Sequence, residues 1–235
     1  MVGDMRARLT FTVTQEGEPT KRLVYVMYWM PRSAADEGTS KALFFAEEPA
    51  TAKGFVYMGW FYPDEANDEW LYIPELRTVR RLVGSHAHHH EDEGDDPFDA
   101  SVLQRLELEH RPSGWGTQRA SGSGEIGGEP VEWVDVIPPH RIGNFPYETV
   151  RIWSSQHNGL PVRTHYLRSD GTRKEIDISW RMEDGVWVWS QVTGLDTRSG
   201  AITMLDVSDV RVNMGLRDRF FSERTMRQGL GRVSR

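Results

Sequence analysis

The side chains best suited to bind a metal ion are concentrated in one short stretch of the chain. The stretch supplies four imidazoles and two adjacent carboxylates, those of His86, His88, His89, His90, Glu91 and Asp92. Imidazole and carboxylate groups are suitable ligands for zinc, nickel and copper. A stable site also needs neighbouring groups that fix its ligands, and this stretch lies between Gly84 and Gly94 without an apolar anchor. Two interpretations stay open: a divalent transition-metal site, or a solvated acidic loop.

No other stretch has the pattern of a catalytic or cofactor site. The run from Gly122 to Gly127 matches GxGxxG, but a dinucleotide site needs a helix that opens at the last glycine, and here a strand-like run follows Pro130. The sequence contains no GxSxG elbow, P-loop or HExxH motif. It also lacks cysteine, which excludes disulfides and a thiol nucleophile. We therefore predict that the protein is not an enzyme and that its only cofactor would be a metal at the histidine-rich stretch.

Composition limits the class of protein further. The 235 residues carry a net charge of −7, which argues against binding to nucleic acid. Hydrophobic residues make up 38% of the chain, enough for a folded core. No apolar run reaches the roughly 18 residues of a membrane-spanning helix. The length is normal for one large β-sandwich or barrel, so we expect a single domain over residues 1–235.

Most of the chain has the pattern of β-strands. Arg8 to Thr14 alternates polar and apolar residues, which is typical of a sheet with one solvated face. Leu23–Met30 and Phe55–Tyr62 are instead apolar at successive positions. A strand that is apolar on both faces must be covered on both faces. A curved sheet that packs against a helix, or that encloses a cavity, would provide that cover.

Turn signals separate the strands at short intervals. Residue pairs that favour two-residue hairpin turns occur at Asn158-Gly159, Asp170-Gly171 and Asp184-Gly185. Hairpins at this spacing predict an antiparallel meander that forms an open or closed barrel. Two short helices are also expected, one from about Pro97 through Leu106 and the other from Leu216 to Gly229.

Nine tryptophans are unusual for a chain of this length. Large aromatic side chains fill solid cores, but in a sheet with doubly apolar strands they can also surround an apolar cavity. Tyrosine and methionine on the same strands would complete its walls. The predicted cavity residues are Tyr25, Met27, Trp29, Tyr57, Trp60, Tyr62, Trp70, Trp187 and Trp189.

The segment that begins at Trp70 resembles a known family. Trp70-Leu71-Tyr72-Ile73-Pro74, followed by Arg80-Arg81, is similar to the tryptophan–leucine–tyrosine–x–proline strand and arginine pair of the outer-membrane lipoprotein-sorting proteins, the LolA-like superfamily. The similarity is to the branch associated with inner-membrane lipid exporters. Pro49 and Gly54 match the proline and glycine that precede this strand.

The resemblance extends to the C-terminal part of the chain, with one interruption. Asp218 and Phe220 match the aspartate–phenylalanine segment near the end of the family pattern. Residues 84–96, which contain the histidine-rich stretch, interrupt the pattern and are interpreted as a loop insertion. Residues 230–235 are expected to form a flexible tail.

The resemblance implies both a fold and a function. The fold is mainly β with a few helices: a strongly curved antiparallel sheet, or unclosed β-barrel, whose concave side is plugged by helices around a hydrophobic cavity. The function is that of a periplasmic carrier, which takes a lipid or the acyl chain of a lipoprotein from an inner-membrane lipid exporter and passes it to an outer-membrane acceptor. We accordingly expect that a signal peptide was removed ahead of this sequence.

Two other functions stay open at this point. The same fold could serve a sensor or regulatory protein that binds another protein rather than delivering lipid. A metal-binding protein could act through the stretch from His86 to Glu93. The presence of bound lipid separates the carrier from the sensor, and metal affinity tests the third interpretation.

Overall fold

Thirteen antiparallel strands form one sheet, which makes up 62% of the residues that the structure describes. The computed structural model describes residues 3–31, 40–62, 67–82, 101–103, 115–139 and 146–233. The strands are β1 (Met5–Thr14), β2 (Lys21–Met30), β3 (Ser40–Glu48), β4 (Val56–Phe61), β5 (Asp68–Ile73), β6 (Thr78–Leu82), β7 (Thr117–Ile126), β8 (Glu129–Ile137), β9 (Thr149–Ser155), β10 (Pro161–Arg168), β11 (Gly171–Glu183), β12 (Val186–Asp196) and β13 (Ile202–Val212).

The order of the strands explains how the sheet is built. β1 to β6 form one meander, β7 to β13 form a second, and the first strand lies beside the last. β6 and β7 are therefore the two edges. The sheet is strongly curved and does not close into a barrel. The predicted fold class, a curved and unclosed antiparallel sheet, is confirmed.

Hairpins occur where the sequence predicts them. Asp184 and Gly185 connect β11 to β12 with φ angles of 46° and 76°. Positive φ is accessible to glycine and, among other residues, most readily to Asn and Asp. Asn158-Gly159 connects β9 to β10, and the Asp170-Gly171 pair lies at the β10–β11 turn.

Apolar side chains pack into one cluster on each face of the sheet. The inner cluster combines both meanders and consists of Ala7, Leu9, Phe11, Tyr25, Ala42, Phe44, Ala46, Tyr57, Phe61, Leu103, Tyr147, Val150, Tyr166, Ile176, Val192, Leu205 and Val207. The outer cluster involves β2 to β4 and the C-terminal segment, and it consists of Val26, Tyr28, Leu43, Phe45, Val56, Met58, Phe221 and Met226. We call these two sides the inner face and the outer face. β2 and β4 contribute to both clusters, as their doubly apolar sequences predict.

The C-terminal segment covers the outer face. After β13 it forms a 3₁₀ turn at Asp218–Phe220 and two short helices, α1 (Glu223–Gln228) and α2 (Leu230–Val233). Both described helices pack against the outer cluster, through Met226 of α1 and through Leu230 and Val233 of α2. The reason is that β2 to β4 present a second apolar surface there, which would otherwise contact water. No helix in the described ranges is long and apolar enough to cross a membrane.

Two further expectations concern the ends of helical segments. The predicted helix from Pro97 through Leu106 falls mostly outside the described residues. The predicted flexible tail begins at Leu230, but Leu230 and Val233 pack against the outer cluster as part of α2.

On the other half of the sheet, a row of stacked side chains lies away from the inner cluster. The Arg151 guanidinium lies 4.3 Å from the Trp133 ring and 5.7 Å from the Trp153 ring. It also donates two hydrogen bonds to Asp135, at 2.6 and 2.8 Å. Trp153 in turn meets the His165 ring edge to face, at 4.5 Å between ring centroids. Cation–π contact and a bidentate ion pair together fix these strands side by side.

Burial of His165 in this row predicts a stability change with pH. Desolvation lowers its pKa below 6.5, against a smaller opposing effect of Glu175. The folded protein then binds this proton less readily than the unfolded chain does. This contribution to stability is complete above pH 6.5 and is lost as the pH falls below it. We expect wild type to lose more unfolding free energy on acidification than His165→Gln, measured by urea denaturation at a series of pH values. Identical pH profiles would contradict this assignment.

Candidate functional site

The first half of the inner face is close-packed. Tyr25 and Tyr57, both predicted cavity residues, are buried in the inner cluster. Tyr25 meets Phe11 edge to face, with ring centroids 6.1 Å apart, and Tyr57 meets Phe44 at 6.0 Å. Met27 and Trp29 follow on the same face and are only partly buried against this cluster. In β1 to β4 the inner face is thus an apolar core with its less covered residues toward the C-terminal end of β2.

Two predicted cavity residues lie on the opposite face. Trp60 and Trp70 pack against the outer cluster, with their rings 5.3 Å apart, and the Lys41 ammonium lies 4.3 Å from the Trp60 ring. Tyr57 and Trp60 are three positions apart on one strand, so their side chains point to opposite faces. The sequence-based grouping is corrected accordingly: Trp60 and Trp70 cannot line the same surface as Tyr25.

Tyr62 lies just beyond the end of β4. Its backbone N–H donates to Asn67, and its hydroxyl donates to Asp68 at 3.1 Å. These bonds hold the residue near the end of the sheet where β5 begins. It therefore lies at the β4–β5 connection and is not part of the inner cluster.

A β-bulge aligns the two remaining predicted residues, Trp187 and Trp189, with the inner face. In the β11–β12 ladder Ser179 pairs with Gln191, whereas Trp180 pairs with Trp189, so Ser190 is an extra residue. A bulge reverses the alternation of the strand that carries it. Trp189 therefore packs against the inner cluster together with Val192, although the two are three positions apart.

The tip of the β11–β12 hairpin extends past its neighbours. Pairing with β10 ends at Asp177, and pairing with β13 ends at Gln191. Beyond these points, side-chain hydrogen bonds connect the tip to the neighbouring strands. The Trp180 indole donates to the Pro161 carbonyl of β10 at 2.7 Å, and Arg181 donates to the Val207 carbonyl of β13 at 2.8 Å. The tip is thus held in place while its edges remain outside the ladder.

Large apolar side chains on this tip are left uncovered. Met182 and Trp187 face each other across the hairpin and are 51% and 40% exposed. By strand alternation from Trp180 and Trp189 they lie on the inner face. Trp180 and Trp189 form the next pair on this face, farther from the turn, with ring centroids 6.2 Å apart. The inner face therefore continues from a buried core to an exposed apolar end.

A groove on the inner face crosses β7, β8 and β9. Its volume is about 590 Å³, within the roughly 300–1,000 Å³ that is usual for ligand sites. Its apolar floor is formed by Val134 and Ile152, which face each other across β8 and β9, and Ile152 packs against the inner cluster. The remaining lining is largely polar and consists of Gln118, Ser121, Gly122, Ser123, Glu132, Trp133 and Ser154.

Together these residues define a partly covered apolar surface in the second meander. We call it the inner strip, and it consists of Val134, Ile152, Ile178, Met182, Trp187 and Trp189. Only the two tryptophans belong to the set predicted from the sequence. The others could have been found by extending the alternation of each strand from its hairpin turn. Such a surface can hold an alkyl chain by burial alone, since its members offer no charged group.

The predicted metal ligands His86, His88, His89, His90, Glu91 and Asp92 lie outside the described residues. Within the described ranges, no three His, Asp or Glu side chains are grouped so that they could hold a metal ion. Binding of zinc, nickel or copper at the histidine-rich stretch stays a prediction.

Solved structures with the same fold cover nearly all of the chain. A DUF1329 family protein from Desulfovibrio piger superimposes with a TM-score of 0.81 at 19% identity, over 96% of this chain and 92% of that chain. A putative outer membrane lipoprotein-sorting protein domain from Vibrio parahaemolyticus gives 0.79 at 18% identity, over 96% and 92%. A LolA superfamily protein from Nitrosomonas europaea gives 0.67 at 15% identity, over 94% and 91%.

Sequence comparison adds a family assignment. No curated protein sequence matches the chain. A family model described as "uncharacterized protein" matches residues 38–228, which is most of the chain. The protein is therefore a member of this family, and it has the fold of the LolA-superfamily, or outer-membrane lipoprotein-sorting, proteins.

Proposed function

We propose that the protein is a periplasmic carrier that holds the acyl chain of a lipid or lipoprotein against the inner strip. It would take this chain from an inner-membrane exporter and pass it to an outer-membrane acceptor. The observation that supports this most directly is the exposed apolar end of the inner face, with Met182 at 51% and Trp187 at 40% exposure. The fold, shared with a putative lipoprotein-sorting domain, agrees with it.

The energetics of an alkyl chain in water explain why a carrier needs such a surface. Each methylene exposed to water costs about 0.8 kcal/mol, so a sixteen-carbon chain costs roughly 12 kcal/mol. A surface that covers most of the chain offsets most of this cost. Because the inner strip makes only apolar contacts, it favours no particular headgroup. The chain can therefore be held in transit and still be released to an acceptor.

Lipid content of the purified protein tests the proposal. Protein produced in the periplasm of a Gram-negative host is extracted with organic solvent, and the extract is analysed by mass spectrometry. We expect a stoichiometric amount of acyl lipid and saturable binding of the fluorescent fatty acid cis-parinaric acid. Absence of both would contradict the carrier and would favour a sensor that binds protein instead.

A pair of isoleucine variants supplies the matched control. Ile152→Glu introduces a carboxylate into the apolar floor of the groove and is expected to lose most of the bound lipid. Ile202→Glu makes the same chemical change at a residue that is 41% exposed and lies on the opposite side of β13 from Thr203 and Leu205. This variant should retain lipid. Circular dichroism confirms that both variants are folded before lipid is measured.

A further inference from the structure

We propose that the acyl chain enters the inner strip from the end marked by the β11–β12 hairpin tip, because a short buried segment closes the opposite end. The inference rests on the proposed carrier function and specifies its direction. It identifies Met182 and Trp187 as the first contacts of an incoming chain. The opposite end is the stop at which the chain's methyl terminus comes to rest.

The closed end is formed by residues 101–103, which lie on the inner face where β11, β12 and β13 begin or end. Leu103 is fully buried, and its side chain lies directly over Gly194, where an added Cβ would be 2.5 Å from it. Gly194 thus lets the segment approach the sheet closely. No alkyl chain can pass between this leucine and the strand beneath it.

Hydrogen bonds hold this closing segment to two strands of the sheet, β11 and β13. The Val102 N–H donates to the Thr203 hydroxyl at 2.8 Å, and the buried Lys174 ammonium donates to the Val102 carbonyl at 2.8 Å. Ser101 accepts a bond from the Leu103 N–H at 2.9 Å. Breaking any of these would leave a buried polar group without its partner, which is costly. The segment is therefore a fixed stop.

The end of the inner strip at the β11–β12 hairpin tip is exposed, in contrast to the buried end at residues 101–103. Hydrophobic side chains of the inner face there are exposed, and the hairpin that carries them extends beyond the ladders on both sides. Tryptophan and methionine suit a transient contact with alkyl chains, since the indole offers a large apolar face and the thioether adapts its shape. Arg181 and Glu183, which flank Met182, form an ion pair with each other. Both residues alternate with Met182 and lie on the other face, so the inner side of the tip is apolar.

The distance between the two ends fits an acyl chain. Trp187 and Gly194 are seven positions apart on β12 (194 minus 187), which corresponds to about 23 Å at roughly 3.3 Å per residue. Half of a bilayer's hydrocarbon core, the length that one acyl chain spans, is about 15 Å. A chain whose methyl end lies near Leu103 therefore leaves its headgroup within about 8 Å (23 minus 15) of Trp187.

Fluorescence quenching tests the direction, because the chain has no cysteine and single cysteines can be introduced freely. Met182→Cys reports on the tip, and Ile178→Cys, which pairs with Val192 two positions from Gly194, reports on the closed end, each labelled with bimane. Val186→Cys, which pairs with Glu183 at the same tip, repeats the measurement with Met182 intact. Each labelled protein is mixed with stearic acid that carries a nitroxide either near the carboxyl end or near the methyl end.

We expect the labels at the tip to be quenched more by the nitroxide near the carboxyl end, and the label at position 178 more by the nitroxide near the methyl end. The reverse pattern, or equal quenching by both probes at each label, would overturn the inference while leaving the carrier function intact. If stearic acid binds but quenches no label, the inference is also overturned. If no fatty acid binds at all, the proposed function itself fails.

The rate of uptake provides an independent measurement. Replacing both Met182 and Trp187 by aspartate should slow the uptake of cis-parinaric acid about tenfold, since half-buried apolar contacts of this size are lost along the path. Ile202→Asp, which changes a side chain of similar exposure on the outer face, should leave the rate unchanged. Equal slowing in both proteins would contradict access from the tip.

Discussion

Replacing Phe221 by alanine is expected to lower the free energy of unfolding by about 3–5 kcal/mol. Phe221 is 1% exposed and lies in the outer cluster with Met226, where the C-terminal segment meets β2, β3 and β4. Truncation removes an aromatic ring from a close-packed interior and leaves a cavity that the short helices cannot refill. Domains are stabilised by only about 5–15 kcal/mol in total, so this change takes away a large share.

Urea denaturation measures the effect, and thermal unfolding should show a decrease of roughly 10 °C in Tm. Met214→Ala is the matched control, because Met214 belongs to the same segment but is 37% exposed. Its replacement should change the unfolding free energy by no more than about 0.5 kcal/mol. A loss at position 221 as small as the loss at position 214 would show that the C-terminal segment does not stabilise the sheet.

Replacing Asp4 by alanine should cost about 2–4 kcal/mol for a different reason. The buried Asp4 carboxylate accepts hydrogen bonds from the backbone N–H groups of Met214 and Leu216, both at 2.6 Å. The Asn213 N–H donates to the Asp4 carbonyl at 2.9 Å. Charge-assisted bonds thus fasten the start of the C-terminal segment to the N-terminus. Their loss leaves two N–H groups without an acceptor.

Denaturation of Asp4→Ala and Asp4→Asn side by side checks this explanation. The asparagine side chain keeps one acceptor oxygen but no charge, so its loss of stability should fall between wild type and alanine. Glu16→Ala, in the exposed β1–β2 turn, should have little effect. If asparagine and alanine are equally destabilising, the negative charge rather than the hydrogen bonding carries the contribution.

The strand pattern of the sequence predicted the architecture because alternation and turn chemistry are local. Asp184-Gly185 specifies its hairpin regardless of what packs around it, since both residues adopt positive φ. The doubly apolar run Leu23–Met30 likewise shows that both faces of β2 are covered. The run does not show which part of the chain covers each face. The structure shows that the C-terminal segment around Phe221 covers the outer face.

The site was harder to predict because it depends on which face each side chain takes. Trp60 and Trp70 look equivalent to Trp187 and Trp189 in composition, yet they lie on the opposite face. The extra residue Ser190 decides the orientation of the latter pair, and a bulge has no clear sequence signature. A shift by one residue exchanges the two faces of a strand.

The pairing of the first strand with the last affects how this protein can be made. β1 and β13 form the seam between the two meanders, with Leu9 opposite Val207 and Phe11 opposite Leu205. Partners separated by nearly the whole chain give a high contact order, which slows folding. In a chain that emerges from a ribosome or a translocation channel, β1 can pair with β2 early. The other edge of β1 stays unpaired until β13 has emerged. Until then the nascent polypeptide presents an unpaired apolar strand, which is the state most exposed to aggregation and most in need of a chaperone.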